Sequence, residues 1–293
     1  MILMNKFTLL IDCFDQKGIV NAVSGFISEN NGNIIDSQQY SSGLTAHFFM
    51  RVLVDATKFN IKIEDLDSAF SSIAAKFSMN FKFSHHTKRM AILVSKYDHC
   101  LYDLLLRKQY GEINVEIPVI ISNHLDLKHV ATAFNIPFEY YPIEKLSDST
   151  NASYDSKLNQ ETQIIKRLQE LEIDFIALAR YMQILTPQFI NSYPYRIINV
   201  HHGFLPSFKG AKPYHQAYDK GVKIIGATAH YATEDLDMGP IIEQGVINID
   251  HRDTVEDYIS KGRDIEKQVL AKAIRAHAED KIIVYDGKTL VFD

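Results

Sequence analysis

The run Met90-Ala91-Ile92-Leu93-Val94 constrains this chain more than any other stretch, because every successive position is apolar. A strand with one face in water alternates apolar and polar side chains, whereas a parallel strand covered by helices on both faces is apolar throughout. Phe175-Ile176-Ala177-Leu178-Ala179, after Asp174, and Ile197-Ile198-Asn199-Val200 have the same character. Strands at 117–122 and 137–141 alternate with helical spacing at 99–109 and 126–134, and Ile164, Ile165, Leu168 and Leu171 mark a further helix. Such alternation predicts an α/β fold with a doubly wound, mostly parallel sheet. Residues 145–156, rich in Ser, Asp and Asn, read as a loop, and residues 240–249 as a strand. Thr254 with Asp257 signals the capped start of a helix reaching residue 277, and Asp286-Gly287 between two apolar runs predicts a hairpin.

The first part of the chain has a different rhythm. Residues 7–14 read as a strand, and Ile19, Val23, Phe26 and Ile27 recur at helical spacing until Asn30-Asn31-Gly32. Strands follow at 33–42 and 45–54, then a helix at 62–77, then a strand in which Met79, Phe81 and Phe83 alternate with polar residues. The order βαββαβ predicts a ferredoxin-like unit. The polar joint His85-His86-Thr87-Lys88-Arg89 divides the chain into expected domains 1–86 and 87–293. Its adjacent histidines face opposite sides of an extended backbone, so they read as linker and not as a metal pair.

Several function classes are excluded at this level. The net charge is -5 and no Lys/Arg tract occurs, which argues against a nucleic-acid partner. The two cysteines, Cys13 and Cys100, lie far apart, so neither a disulfide framework nor a zinc site is indicated, and a reducing cytoplasm fits. The N-terminus reads as a strand and not as a signal peptide, and no apolar run is long enough to span a membrane. Without a G-x-G-x-x-G, no dinucleotide is expected.

Chemistry concentrates where the strand at 197–200 ends. Asn199 and His201 are two apart on extended backbone, so their side chains point the same way. An amide donor and an imidazole facing one spot suit attack on a carbonyl carbon: one stabilises the oxyanion, the other moves a proton. Alone, the pair also fits a strand-to-loop turn with incidental polar residues. A second segment, Gly226 to Ile242, ends a β-rich run in an acidic turn containing Asp237-Met238-Gly239-Pro240.

Together, N-x-H-x-x-F-L-P and D-x-G-P-I-I resemble the folate-dependent formyltransferase family over about residues 88 to 285. The resemblance implies that Asn199, His201 and Asp237 form the catalytic constellation. It implies that Arg180, Tyr181, Met182, Gln183 and Ile184, after the strand at 174–179, bind the pteridine ring of the substrate. It implies that Gly203 belongs to the substrate-binding set as well, although relatives often carry Ser there, so that a local hydroxyl contact is lost. The Asp15-Gln16-Lys17-Gly18-Ile19-Val20 start resembles ACT modules, in which the loop around the glycine lines an amino-acid site. A module of this kind joined to a formyltransferase-type domain is similar to the branch of the family that hydrolyses 10-formyltetrahydrofolate, releasing formate for one-carbon and purine metabolism. That implies a folate substrate with water, no further cofactor and no metal, a homo-oligomer, and an effector site at Asp15, Gly18 and Ile19 for methionine or glycine.

Two alternatives remain open. A transferase would pass the formyl group to an amine such as glycinamide ribonucleotide; such relatives carry a Gly-Ser-Asn phosphate loop where this chain reads Ser95-Lys96-Tyr97-Asp98-His99-Cys100-Leu101. A non-catalytic, ACT-regulated folate-binding protein would need none of the catalytic residue types, all of which are present.

Overall fold

A computed structural model describes residues 6–143, 150–207 and 213–293 of the chain. Two compact units are present: one runs to His86 and takes in Asp280–Ile283 and Leu290–Asp293, and the other comprises Thr87–Glu279 and Val284–Thr289.

The first unit is built from β1 (Lys6–Phe14), α1 (Ile19–Glu29), β2 (Asn33–Ser42), β3 (His47–Asp55), α2 (Leu66–Phe77) and β4 (Asn80–Ser84). The helix expected from residue 62 begins as a 3-10 turn at Ile63–Asp65. The strands form an antiparallel sheet in the order β2-β3-β1-β4, which is the ferredoxin-like βαββαβ arrangement. Alternation along β1 buries Phe7, Leu9, Ile11 and Cys13 together with Ile19, Val23, Phe26 and Ile27 of α1. Phe70 of α2 is fully buried and meets Phe26 and Phe81 edge-on, with ring centroids 5.2 and 5.1 Å away. The end of the chain adds to this unit, where the Arg51 guanidinium donates from Nε to the carbonyl oxygen of Asp280 at 3.0 Å.

The second unit contains β5 (Arg89–Val94), α3 (His99–Gln109), β6 (Glu116–Ser122), α4 (Lys128–Ala133), β7 (Phe138–Tyr140), α5 (Thr150–Glu170), β8 (Phe175–Leu178), α6 (Pro187–Ser192), β9 (Ile197–His201), α7 (Pro213–Asp219), β10 (Ile224–Tyr231), β11 (Ile241–Asn248) and α8 (Val255–Ala278). The C-terminal hairpin is β12 (Ile282–Tyr285) with β13 (Lys288–Val291), as Asp286-Gly287 predicts. Seven strands make a sheet in the order β11-β10-β9-β8-β5-β6-β7, with β10 antiparallel to both of its neighbours and β5, β6, β7, β8 and β9 parallel. Met90 through Val94 are all buried, as continuous apolar character requires. The predicted cap of α8 is a full capping box: Thr254 accepts from the Asp257 amide, and Asp257 accepts from the Thr254 amide.

One expectation is corrected. Residues 150–156 are not loop but the start of α5, while 145–149 lie outside the described residues. Ser, Asn and Asp each cost a helix only a few tenths of a kcal/mol, roughly, and a helix already nucleated by buried Ile164 and Leu168 extends through them. α6 was not anticipated, although Thr186 caps it through its side chain and Pro187 occupies the first turn. Among the described residues no helix is long and apolar enough to cross a membrane.

The order of strands sets the position of the site. From β5 the chain winds to β6 and β7 on one side, then returns to β8 and β9 on the other. The loops leaving β5 and β8 therefore diverge, and a crevice opens at the carboxyl ends of these strands.

Candidate active site

A cleft of about 650 Å³ occupies that crevice in the second unit, between the loop after β5, the loop after β8, the end of β9, the turn after β10, and α8. Along β9, Ile198 and Val200 are buried in the sheet, and the intervening Asn199 and His201 face the cleft. β10 lies antiparallel beside β9 with His230 directly opposite Asn199. The Asn199 amide nitrogen lies 3.2 Å from His230 Nε2, and His230 Nδ1 donates to the Tyr231 carbonyl oxygen at 2.9 Å. With its Nδ1 proton so engaged, His230 accepts from Asn199 and fixes which end of that amide faces the cleft. His230 carries no sequence signal of its own; only the register of two antiparallel strands finds it.

Asp237 reaches the same spot from the turn after β10. Its backbone is left-handed, with φ of 57°, a conformation Asp tolerates better than bulkier residues. Met238 closes the turn by donating to the Asp235 carbonyl oxygen at 3.2 Å. His201 Nδ1 then donates to Asp237 Oδ2 at 3.1 Å, and His230 Nε2 lies 3.6 Å from Oδ1. The hydrogen bond from His201 holds the Asp237 carboxyl well below the usual carboxylate range despite partial burial. His201 is 5% exposed, and its Nε2 is shielded from solvent with no hydrogen-bond partner among the described residues. A polar atom left in that state is an invitation to a ligand.

The loop after β8 supplies an apolar wall. Met182 and Ile184 line the cleft and are exposed, Gln183 lies between them, and the Met182 amide is pinned by donating to Ser95 Oγ at 3.0 Å. Tyr181 lines the cleft but packs mainly into the core, where burial pushes its phenol far up. The structure thus brings Asn199, His201, Asp237 and residues 180–184 to one cleft. Gly203 is not among the lining residues; its carbonyl accepts from Thr228 Oγ1 at 3.0 Å. Asp15, Gly18 and Ile19 belong to the other unit, at the start of α1, where Gly18 is left-handed with φ of 97°.

The cleft also holds a second polar group, around Glu266, that sequence reasoning missed. Glu266 of α8 is 1% exposed and is met by His99 Nε2 at 2.8 Å, the Tyr214 hydroxyl at 2.6 Å and Arg180 Nε at 3.5 Å. Burial pushes the Glu266 carboxyl up, but these three partners outweigh it and hold it below its ordinary value. Of the described residues, His99, Cys100 and Glu266 are the group whose donor atoms, all within 4.8 Å of one another, could hold a cation. The Arg180 guanidinium beside the carboxylate, and a buried Cys100 thiol pushed well above its usual value, fit a hydrogen-bonded cluster better than a metal.

His202 lies between the two groups, its ring 5.4 Å from His201 and 6.0 Å from Tyr214. Burial, with the Arg180 guanidinium adding to it, lowers its imidazole from 6.5 to about 4. Below pH 6.5 the unfolded chain takes a proton there that the folded chain refuses. Stability is therefore complete above that value and falls as pH drops toward 4, by up to about 1.4 kcal/mol per pH unit from this group. Urea midpoints of His202→Gln should show a slope shallower by about one proton across this window. An unchanged slope would rule His202 out as the cause.

A family model for formyl transferases matches residues 88–274, and one for the ACT domain matches residues 7–68. The formyltetrahydrofolate deformylase of Synechocystis sp. is 48% identical over 97% of this chain and 98% of that protein. The crystal structure of a formyltetrahydrofolate deformylase from Pseudomonas syringae pv. tomato is similar with a TM-score of 0.92 at 42% identity, covering 98% of this chain and 94% of that one. Glycinamide ribonucleotide transformylase 1 from Symbiobacterium toebii is more distant, with a TM-score of 0.65 at 28% identity, covering 73% of this chain and 98% of that one.

Proposed function

Since the chain belongs to the formyltetrahydrofolate deformylase family, we propose that it hydrolyses 10-formyltetrahydrofolate to formate and tetrahydrofolate. The observation that carries this reading is the convergence of Asn199, His201 and Asp237 in one cleft, with His201 Nε2 lacking a partner among the described residues. Met182, Ile184 and the neighbouring Gln183 offer a slot of the apolar kind that a pteridine ring needs. Water attacks the formyl carbon, and the carbonyl oxygen gains charge. The Asn199 amide donates to that oxygen. His201, its Nδ1 held by Asp237, donates from Nε2 to the oxygen or to the departing nitrogen. The Asp237 carboxylate keeps the charged imidazole in place and is an available acceptor for the proton lost by water. The carbon–nitrogen bond then breaks, the folate nitrogen takes up the proton that His201 gives, and formate leaves.

Incubating the purified protein with 10-formyltetrahydrofolate and no amine should release formate and tetrahydrofolate in equal amounts. Glycinamide ribonucleotide should not accelerate turnover; a rate that depends on it would favour transfer instead.

We further propose that the protein works in the cytoplasm as a homo-oligomer, feeds formate to purine synthesis, and responds through residues 1–86 to an amino acid, with methionine and glycine to be tested first. Such a response requires an effector that binds active and inactive assemblies with different affinity. Gly18 opens the loop before α1 in a left-handed conformation. Gly18→Val should abolish an amino-acid effect on rate while formate release persists. A monomer by sedimentation, with no amino acid altering its rate, would sink this part of the proposal.

A further inference from the structure

The fold does not by itself choose water as the nucleophile, since a protein named for an amine-bearing acceptor, glycinamide ribonucleotide, shares it. Something local must decide. The loop after β8 lines the cleft with apolar side chains, and the Glu266 group lines it with polar ones.

This polar wall is tied together from separate parts of the unit. His99 comes from the start of α3, Arg180 from the loop after β8, Tyr214 from α7 and Glu266 from α8. Both carboxylate oxygens are occupied: Oε1 accepts from the Tyr214 hydroxyl at 2.6 Å, and Oε2 accepts from His99 at 2.8 Å and faces Arg180 at 3.5 Å. The Tyr214 ring lies flush on α8 only because Gly262 has no side chain; a Cβ there would come within 2.2 Å of the ring. The Arg180 guanidinium is seated over the Tyr97 ring at 4.8 Å from its centroid, and its Nη1 has no hydrogen-bond partner among the described residues. Hence the wall offers carboxylate oxygens that are already engaged by Tyr214 and His99, beside a guanidinium whose Nη1 is unengaged among the described residues. Water, which accepts hydrogen bonds, is compatible with such a surface. An amine arriving as its ammonium form meets at this wall the like charge of Arg180 and a carboxylate already engaged by Tyr214 and His99, and that mismatch discriminates by repulsion as much as by fit.

We propose that the buried His99–Arg180–Tyr214–Glu266 cluster is the specificity determinant of this site, excluding amine acceptors so that water alone reaches the formyl carbon. The inference rests on the hydrolase reading above. In the excluded reaction the amine nitrogen would form a bond to the formyl carbon, the bond from that carbon to the folate nitrogen would break, and the amine's proton would pass to the folate nitrogen, giving a formamide and tetrahydrofolate.

The test uses the full chain, 10-formyltetrahydrofolate and an excess of a small amine, hydroxylamine or glycinamide, with formate and formylated amine both quantified. Unaltered protein should yield formate. Glu266→Gln and Tyr214→Phe free an acceptor oxygen or leave the carboxylate short of one donor. Each should raise the ratio of formylated amine to formate at least about tenfold, the scale on which one altered group in a site discriminates. Tyr214→Phe keeps the ring on Gly262, so it tests the idea even where Glu266→Gln fails to fold. An unchanged ratio in folded, formate-releasing Tyr214→Phe would overturn the proposal, and so would ready formylation of the amine by the unaltered protein. Release of no formate by the unaltered protein would instead strike at the hydrolase reading, and a product ratio cannot then rescue this one.

Discussion

Asp237→Asn and His201→Ala should each lower turnover at least about 10²-fold, the usual contribution of a positioned acid–base group. The Asp237 exchange is nearly isosteric. Asn is also among the few residues that tolerate the left-handed backbone at this position, so the turn is kept and the charge alone is lost. What disappears is the negative charge 3.1 Å from His201 Nδ1, and with it the stabilisation of positive charge on the imidazole as the reaction proceeds. Folate binding should survive in both variants, because Met182 and Ile184 stand on another loop. Formate release measured beside a binding titration separates the two effects. Near-normal turnover in either variant would remove that residue from the mechanism.

Gly239→Ala should be nearly as damaging without touching a reacting group. A Cβ on Gly239 would lie 1.8 Å from the Tyr231 carbonyl oxygen, which is backbone and cannot swing aside. The strand end and the Asp237 turn must separate, although the Tyr231 amide donates to the Pro240 carbonyl there at 2.9 Å. Forced displacement of this sort costs about 1–3 kcal/mol in stability. A misplacement of roughly 1 Å at a reacting group can cost about 10²-fold in rate. Thermal melting and formate release should therefore both fall. A variant with unchanged melting and unchanged rate would show that the turn has slack the packing does not reveal.

The two predictions differ in how far each could be foreseen. Asn199 and His201 share a face because a strand has a period of two, and Asp237 entered through the resemblance carried by its turn. The close approach at Gly239 belongs to two chain segments eight residues apart that meet only once β10 and β11 pair. His230 was invisible for a related reason, since its place opposite Asn199 is a matter of register between β9 and β10. Glu266 was hidden differently. On α8 it sits among Ile265, Val269 and Leu270 and reads as one charge on an amphipathic helix.

Local chemistry and periodicity were enough to determine the βαββαβ unit, the parallel strands of the second unit, the capped helix at Thr254 and the hairpin at Asp286-Gly287. Each depends on residues a few positions apart, whose spacing the chain displays directly. The start of α5 at Thr150, the strand order that opens a crevice beside β5, the pairing of Asn199 with His230, and the closure of Glu266 by His99, Tyr214 and Arg180 were decided by tertiary structure alone. Those contacts join positions tens to more than a hundred residues apart, and which distant segments meet is settled by burial of the whole core and not by any one segment's own preference.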